Sequence, residues 1–119
     1  MEYKKLEHPI FWMGFVKGKF TKRKYVKYQA KYPSWVVSDD GYSARRITSK
    51  IKKNFDKLQI VGGFSIYSYK EFTKEQEIAF FKAIVKRENE RIKEHQKEIG
   101  DIIEERNLVI ELIKERENG

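Results

Sequence analysis

The stretch that decides the fold of the first part of the chain is residues 10–32, with the sequence IFWMGFVKGKFTKRKYVKYQAKY. Ile10 to Val16 is a dense apolar run with several aromatic rings, which favours a buried strand. Lys17-Gly18 favours a tight hairpin turn, because glycine accepts a positive φ. Lys19 to Tyr32 would then return as a second strand, with Tyr25 and Lys27 together on its outer face.

The sequence that follows extends this hairpin into a sheet. Trp35 to Ser38 predicts a short third strand, and Asp39-Asp40-Gly41 is typical of a turn. Leu58 to Tyr69 predicts a last strand. Gly62-Gly63 in its middle indicates either a bulge or a place where a ligand or another chain comes close.

A helix is predicted between the third and the last strand. Its apolar stripe has helical spacing, and Ser43 is a suitable N-cap. The stripe consists of Ala44, Ile47, Ile51, Phe55 and Leu58. The opposite face is basic and carries Arg45, Arg46, Lys50, Lys53 and Lys57.

The C-terminal part is predicted to be helical. Thr73 and Gln76 have the spacing of a capping box. An apolar heptad pattern follows, broken by Glu88, His95 and Arg106, and we call its members the apolar seam. The seam consists of Ile78, Phe81, Val85, Ile92, His95, Ile99, Ile102, Val109 and Ile113.

Gly100 leaves two arrangements of this helical part open. It could end one helix and give a helical hairpin, or it could lie inside one long helix at a cost of about 1 kcal/mol. A single helix of this length could not bury its seam on so small a sheet and would need another chain, in a coiled coil or a broader bundle. The seam therefore predicts a homo-oligomer.

Charge and aromatic content divide the chain near Phe72. Residues 1–72 carry a net charge of +10 and 15 of the 17 aromatic residues, whereas residues 73–119 carry a net charge of −2. A shift of this size marks a boundary. We therefore predict an α+β protein with two parts. Residues 1–72 would form a small, mostly antiparallel, basic and aromatic sheet domain with one amphipathic helix, and residues 73–119 a helical oligomerisation segment.

Composition excludes several classes of function. The chain has no cysteine, which removes disulfides, thiolate zinc sites and cysteine nucleophiles, and it permits a reducing, cytoplasmic location. No apolar run approaches the roughly 20 residues that a membrane span needs. Neither His8 nor His95 belongs to a catalytic constellation, and Asp39-Asp40 suits a turn better than a metal site. We expect no enzyme, no metal and no cofactor.

Binding of a phosphate-bearing ligand has better support. Cations neutralise phosphates, and exposed rings stack on bases. The predicted ligand-binding residues are Lys19, Lys22, Arg23, Lys24, Tyr25, Lys27, Tyr42, Arg45, Arg46, Lys50 and Lys53. We expect nucleic acid as the first partner and a free nucleotide as a variant of the same chemistry. The rings of Trp12, Trp35, Tyr25 and Tyr42 are open between core and site.

Two rival functions remain at this point. A short basic chain rich in Lys, Ile, Phe, Tyr and Asn also suits a phage or mobile-element accessory protein. Such a protein could act in anti-defence, by inhibiting a host nucleic-acid enzyme or by sequestering a nucleotide signal. Its partner would then be a host protein or the nucleotide itself. The third reading is a structural adaptor whose basic face is only a solvated surface.

Overall fold

The computed structural model of the chain describes residues 2–118 and has an α+β fold, as predicted. Its first part is a curled, six-stranded antiparallel sheet with the strand order β4-β3-β2-β1-β6-β5. The strands are β1 (Tyr3–Val16), β2 (Lys19–Gln29), β3 (Trp35–Ser38), β4 (Ala44–Arg46), β5 (Gln59–Ile60) and β6 (Phe64–Ser68). The helices are α1 (Ser49–Lys53) and α2 (Lys74–Asn118).

The hairpin of β1 and β2 forms where the sequence predicts it. Val16 pairs with Lys19, and the two residues between them both have a positive φ, 51° at Lys17 and 75° at Gly18. This conformation matches the right-handed twist of the flanking strands. The third strand, Trp35–Ser38, is also confirmed, and a turn follows it at Asp39-Asp40-Gly41.

Tyr25 lies inside the fold, so the prediction that its ring is on the outer face is wrong. The side chain is 0% exposed. The register against β3 shifts between Tyr25 and Lys27, and this bulge lets Tyr25 and Tyr28 contact the same hydrophobic cluster. A strictly alternating strand would have placed them on opposite faces.

The predicted helix at residues 44–58 is wrong at both ends, because α1 covers only Ser49–Lys53 and Asn54 is its C-cap. Ala44–Arg46 forms the edge strand β4, which pairs with β3, and Ile47 continues this with a backbone hydrogen bond to Ser34. Thr48, not Ser43, is the N-cap, and its hydroxyl accepts the Ile51 amide at 3.2 Å. Arg45 and Arg46 are therefore strand residues, and they do not share a helix face with Lys50 and Lys53.

The predicted last strand is two strands joined by a turn. β5 and β6 form a hairpin, and Gly62-Gly63 connects them with positive φ at both residues. A Cβ on Gly63 would lie 2.7 Å from Cγ2 of Val16 and 3.0 Å from the carbonyl oxygen of Phe15. The close approach indicated by these glycines is therefore made by the end of β1.

The C-terminal part forms one continuous helix, α2, and Gly100 lies inside it, so the hairpin alternative is excluded. The predicted capping box is present. The Thr73 hydroxyl accepts the Gln76 amide at 3.2 Å, and the Gln76 side chain accepts the Thr73 amide at 2.8 Å. Within residues 2–118, no helix combines the length and the apolar content needed to cross a membrane.

The chain divides into two compact units, Met1–Phe80 and Phe81–Gly119. The first unit takes in the sheet, α1 and the first two turns of α2. One face of its sheet carries the main hydrophobic cluster, and α1 and Phe55 pack against it. The buried members of this cluster are Ile10, Trp12, Tyr25, Val36, Ile47 and Tyr67. On the other side, Phe80 packs against Phe20 with ring centroids 6.3 Å apart.

Candidate anion-binding site

The side chain of Arg45 contacts three aromatic members of the main hydrophobic cluster. Its guanidinium carbon lies 4.0 Å from the ring centroid of Trp12. Its Nε donates a hydrogen bond to the Tyr25 hydroxyl at 3.0 Å, and its Nη1 donates one to the Tyr67 hydroxyl at 3.1 Å. The Tyr25 oxygen also lies 3.1 Å from Oγ of Ser43. The guanidinium is therefore fixed in position by one ring and two hydroxyl groups.

The contacts of Arg45 leave its charge uncompensated. Within residues 2–118 its half-buried side chain makes no ion pair, and all its partners are neutral. A guanidinium has five N–H donors, of which two are used here. Cations that are removed from water are normally paired, so an unpaired one with free donors is a candidate site for an anion.

The position of the Trp12 ring depends on Gly14, because glycine has no side chain there. A Cβ at residue 14 would overlap the six-membered ring of the Trp12 indole. Glycine therefore lets the indole lie flat across β1, where it supports the guanidinium of Arg45. The indole Nε1 is buried and has no hydrogen-bond partner in the described part of the chain.

Arg45 opens into a cavity of about 490 Å³ beside β4 and α1, which we call the Arg45 pocket. Its aromatic and polar lining includes Trp35, Arg46, Lys50, Asn54, Gln59 and Tyr67. Among the residues that the structure describes, three cations line it, and no aspartate, glutamate or histidine does. Its electrostatic character is therefore strongly positive.

A second cavity of about 310 Å³ has a different charge balance, and it shares no lining residue with the Arg45 pocket. Its cations are Lys22, Arg23 and Lys24, and its carboxylates are Asp39, Asp40 and Glu71. Lys22 is in addition 2.6 Å from Glu77 in an ion pair. The charges in this cavity balance, so it attracts an anion far less strongly than the Arg45 pocket.

The structure divides the predicted ligand-binding residues between these places. Arg45, Arg46 and Lys50 come together in the Arg45 pocket, and Lys22, Arg23 and Lys24 in the balanced cavity. Four further members, Lys19, Lys27, Tyr42 and Lys53, line neither cavity. Lys27 lies over the ring of Tyr3 at 5.1 Å, and Tyr42 is 91% exposed. Tyr25 takes part through its hydroxyl, which positions Arg45, and not as a stacking surface.

Asp40 organises the turn beside the balanced cavity. Its carboxylate accepts hydrogen bonds from the Ser38 hydroxyl and, at 3.0 Å, from the Tyr42 amide. The Ser38 hydroxyl, and then the Tyr42 amide, hold the pKa of Asp40 below its ordinary value of 3.8. The Ser38 oxygen in turn accepts the Ser43 amide at 3.1 Å, so this turn leads directly into β4 and Arg45.

The apolar seam of α2 is exposed in the single chain. Val85, Ile92, Ile99, Ile102 and Val109 are each at least 50% exposed, and Ile78, Phe81 and Ile113 between 38 and 49%. His95 is exposed and lies 3.6 Å from the Glu98 carboxylate. Among residues 2–118, no group of three or more His, Asp or Glu side chains is arranged to hold a metal ion.

Comparison with known proteins gives no relative. No protein-family model, no curated protein and no solved structure matches this chain.

The predicted site did not include Ser43 or Tyr67, and it left Trp12 open between core and site, although all three side chains belong to the network around Arg45. Trp12 and Tyr67 are more than fifty residues apart in the sequence and pair across β1 and β6, so local periodicity could not connect them with Arg45. One signal was available in the sequence. Gly14 interrupts an aromatic run in a strand, and such a glycine marks a place where another group comes close.

Proposed function

We propose that the protein is a non-enzymatic binding protein for a phosphate-bearing nucleotide, with the phosphate held in the Arg45 pocket. The observation that carries this proposal is the half-buried guanidinium of Arg45, fixed by Trp12, Tyr25 and Tyr67 with no carboxylate beside it. Its free N–H groups can donate two parallel hydrogen bonds to phosphate oxygens. Arg46 and Lys50 line the same pocket and add two further cations.

The rest of the lining supports a nucleotide over inorganic phosphate. Trp35 is among the lining residues and is 38% exposed, and an exposed indole can stack on a base. The side chains of Asn54 and Gln59 offer both donors and acceptors to a base edge. The volume of about 490 Å³ lies within the usual range for small-ligand sites, roughly 300–1,000 Å³.

The nucleotide could be free or part of a nucleic acid, because the phosphate and base chemistry is the same. The division of the basic residues between two separate cavities supports a free nucleotide or the end of a strand more than a long duplex. A duplex track needs a continuous row of unpaired cations, whereas Lys22 is paired with Glu77 and Arg23 lies beside Asp40.

Tryptophan fluorescence provides the test, because Trp35 lines the pocket and Trp12 supports Arg45. The full chain is titrated with a nucleoside, the matching mono- and triphosphate, cyclic nucleotides, and single-stranded DNA and RNA oligonucleotides. We expect the phosphorylated ligands to bind and the nucleoside to bind at least tenfold more weakly. Saturable binding of free nucleotides identifies a free nucleotide as the ligand, and binding of oligonucleotides alone identifies a nucleic acid. Equal binding of nucleoside and nucleotide, or no binding of any member, contradicts the proposal.

A sequestering role for a nucleotide signal is the form of this function that the pocket favours. The lining contains no histidine or carboxylate that could act as a general base, which supports binding without turnover. Recovery of the bound nucleotide chemically unchanged after long incubation is the expected result. Conversion of the ligand, abolished by mutation of a pocket residue, would overturn the non-enzymatic part of the proposal.

A further inference from the structure

We propose that α2 pairs with α2 of a second copy of this chain in an antiparallel orientation, with Glu88 of each copy against Arg106 of the other. This proposal is independent of the ligand, because it concerns only residues 85–109. These residues lie in the second compact unit, which consists of helix α2 beyond Phe80.

The need for a partner follows from the exposure of the seam. Five apolar side chains repeat along α2 at the a and d positions of a heptad, and each is 50–64% exposed in the single chain. They are Val85, Ile92, Ile99, Ile102 and Val109. A regular apolar row of this kind is buried when a second helix packs against it.

Two charged residues that interrupt the apolar seam decide the orientation of the pair. Glu88 occupies a d position and Arg106 an a position, eighteen residues further along the chain. In a parallel, in-register pair, each a residue meets its own copy, and so does each d residue. Glu88 would then face Glu88 of the second copy, and Arg106 would face Arg106. Like charges facing each other at a buried seam are strongly unfavourable.

An antiparallel pair removes both conflicts in a single register. When Glu88 faces Arg106 of the second copy, symmetry places Arg106 against Glu88 at the other end. The same register pairs Val85 with Val109 and Ile92 with Ile102. At the centre it places His95 against Ile99, twice. Both charged seam positions are thus matched by opposite charge, and the flanking layers are apolar on both sides.

The flanking positions support the same register. Arg91 and Glu105 both lie beside the seam at g positions, and antiparallel pairing brings g against g, so Arg91 faces Glu105 of the second copy. The like-charge contact that remains at the flank is Glu98 with its own copy. It is exposed, and His95 lies 3.6 Å from Glu98 on the same helix. Within residues 2–118 the ion pair of Glu88 is with the exposed Arg91, at 3.3 Å, so Glu88 is free to exchange this partner.

Charge reversal in the full chain tests the orientation. Glu88→Arg and Arg106→Glu, made separately, each turn two opposite-charge contacts per dimer into like-charge contacts. We expect at least a tenfold weaker dimer by analytical ultracentrifugation for each variant. The double variant E88R/R106E restores the matched pairs and returns affinity to within about threefold of the wild type. In a parallel pair each residue faces its own copy, so like charges face each other in the wild type and in every variant. Single variants that dimerise as well as the wild type, or a double variant that brings no recovery, overturn the proposal.

Disulfide trapping provides a second, structural readout, because the chain has no cysteine of its own. Ile92→Cys and Ile102→Cys are prepared separately and oxidised in a glutathione buffer, alone and as an equal mixture. We expect a mixed disulfide dimer from the mixture and little from either variant alone. Within one helix the two positions are about 15 Å apart, so an internal disulfide is impossible. Two results would contradict antiparallel pairing. One is an efficient disulfide between two copies of the Ile92→Cys variant, and the other is a wild type that remains monomeric at about 100 µM.

Discussion

The guanidinium of Arg45 lies over the indole of Trp12, with 4.0 Å between its central carbon and the ring centroid. This contact joins an edge strand, β4, to the middle strand β1, and two strands, β3 and β2, lie between them in the sheet. The hydroxyls of Tyr25 and Tyr67 complete the support. Arg45 therefore packs against core residues and also lines the Arg45 pocket, so we expect its replacement to affect both stability and the pocket.

The first prediction concerns the geometry of this cation. Arg45→Lys keeps the charge but removes the planar fork that contacts both tyrosines and the indole. Two hydrogen bonds at roughly 1 kcal/mol each, together with part of the cation–π contact, give an expected loss of about 2 kcal/mol in the free energy of unfolding. Urea denaturation measures it.

Arg46→Lys is the matched control for that variant. Arg46 is the neighbouring residue, its side chain is exposed, and within residues 2–118 it makes no hydrogen bond or ion pair. We expect a change below about 0.5 kcal/mol, as for ordinary surface substitutions. Equal losses in the two variants would mean that the contacts of Arg45 contribute nothing specific.

The second prediction uses two glycines with opposite surroundings. In Gly14→Ala the new methyl group overlaps the Trp12 ring, so the indole must move and Arg45 loses its support. Overpacking of this kind costs about 1–3 kcal/mol. Gly100→Ala lies inside α2 with nothing within 4 Å of the new methyl group, and it should stabilise the helix by about 1 kcal/mol. Thermal unfolding of both variants checks the sign, and a neutral Gly14→Ala would contradict the account of Trp12.

The third prediction is a pH dependence carried by Asp40. Its pKa is lowered in the folded chain by the Ser38 hydroxyl and the Tyr42 amide, so the folded state prefers the ionised carboxylate. The resulting stabilisation is complete above the unfolded pKa, near 3.8, and is lost as the pH falls through the lower folded value. The unfolding temperature should therefore fall more steeply below pH 4 in the wild type than in Asp40→Asn.

Asp39→Asn separates this effect from the general protonation of carboxylates. Asp39 is the neighbouring exposed carboxylate and makes no side-chain hydrogen bond within residues 2–118. We expect it to keep the steep wild-type dependence. If Asp40→Asn and the wild type instead give parallel curves, the hydrogen bonds of Asp40 do not stabilise the turn.

Local signals predicted much of the fold. The turn at Lys17-Gly18, the strand Trp35–Ser38 and the capping box of Thr73 and Gln76 each depend on residues close together in sequence, and all three are confirmed. The helical stripe was half right, because Ile47, Ile51 and Phe55 do pack on one cluster. Pairing of Ala44–Arg46 with β3 and the Thr48 cap override helical periodicity before Ile47.

The candidate site depends on contacts that periodicity does not contain. The inward position of Tyr25 comes from a bulge against β3, and Tyr67 reaches Arg45 from a strand added at the far side of β1. Sequence alone grouped Arg45, Arg46 and Lys50, which line one cavity, although Arg45 and Arg46 lie on a strand and not on the predicted helix. It could not separate them from Lys22, Arg23 and Lys24, because that separation depends on which carboxylates each cavity contains.

The most direct test of the central claim compares two lysines of α1. Lys50 lines the Arg45 pocket and Lys53, one turn further on, does not, while both are exposed and carry the same charge. The affinity of Lys50→Gln and Lys53→Gln for the nucleotide that binds the wild type is measured by calorimetry at one salt concentration. A phosphate contact at Lys50 predicts a loss of about tenfold for Lys50→Gln and less than twofold for Lys53→Gln. Equal losses, or a larger loss for Lys53→Gln, would contradict binding in the Arg45 pocket.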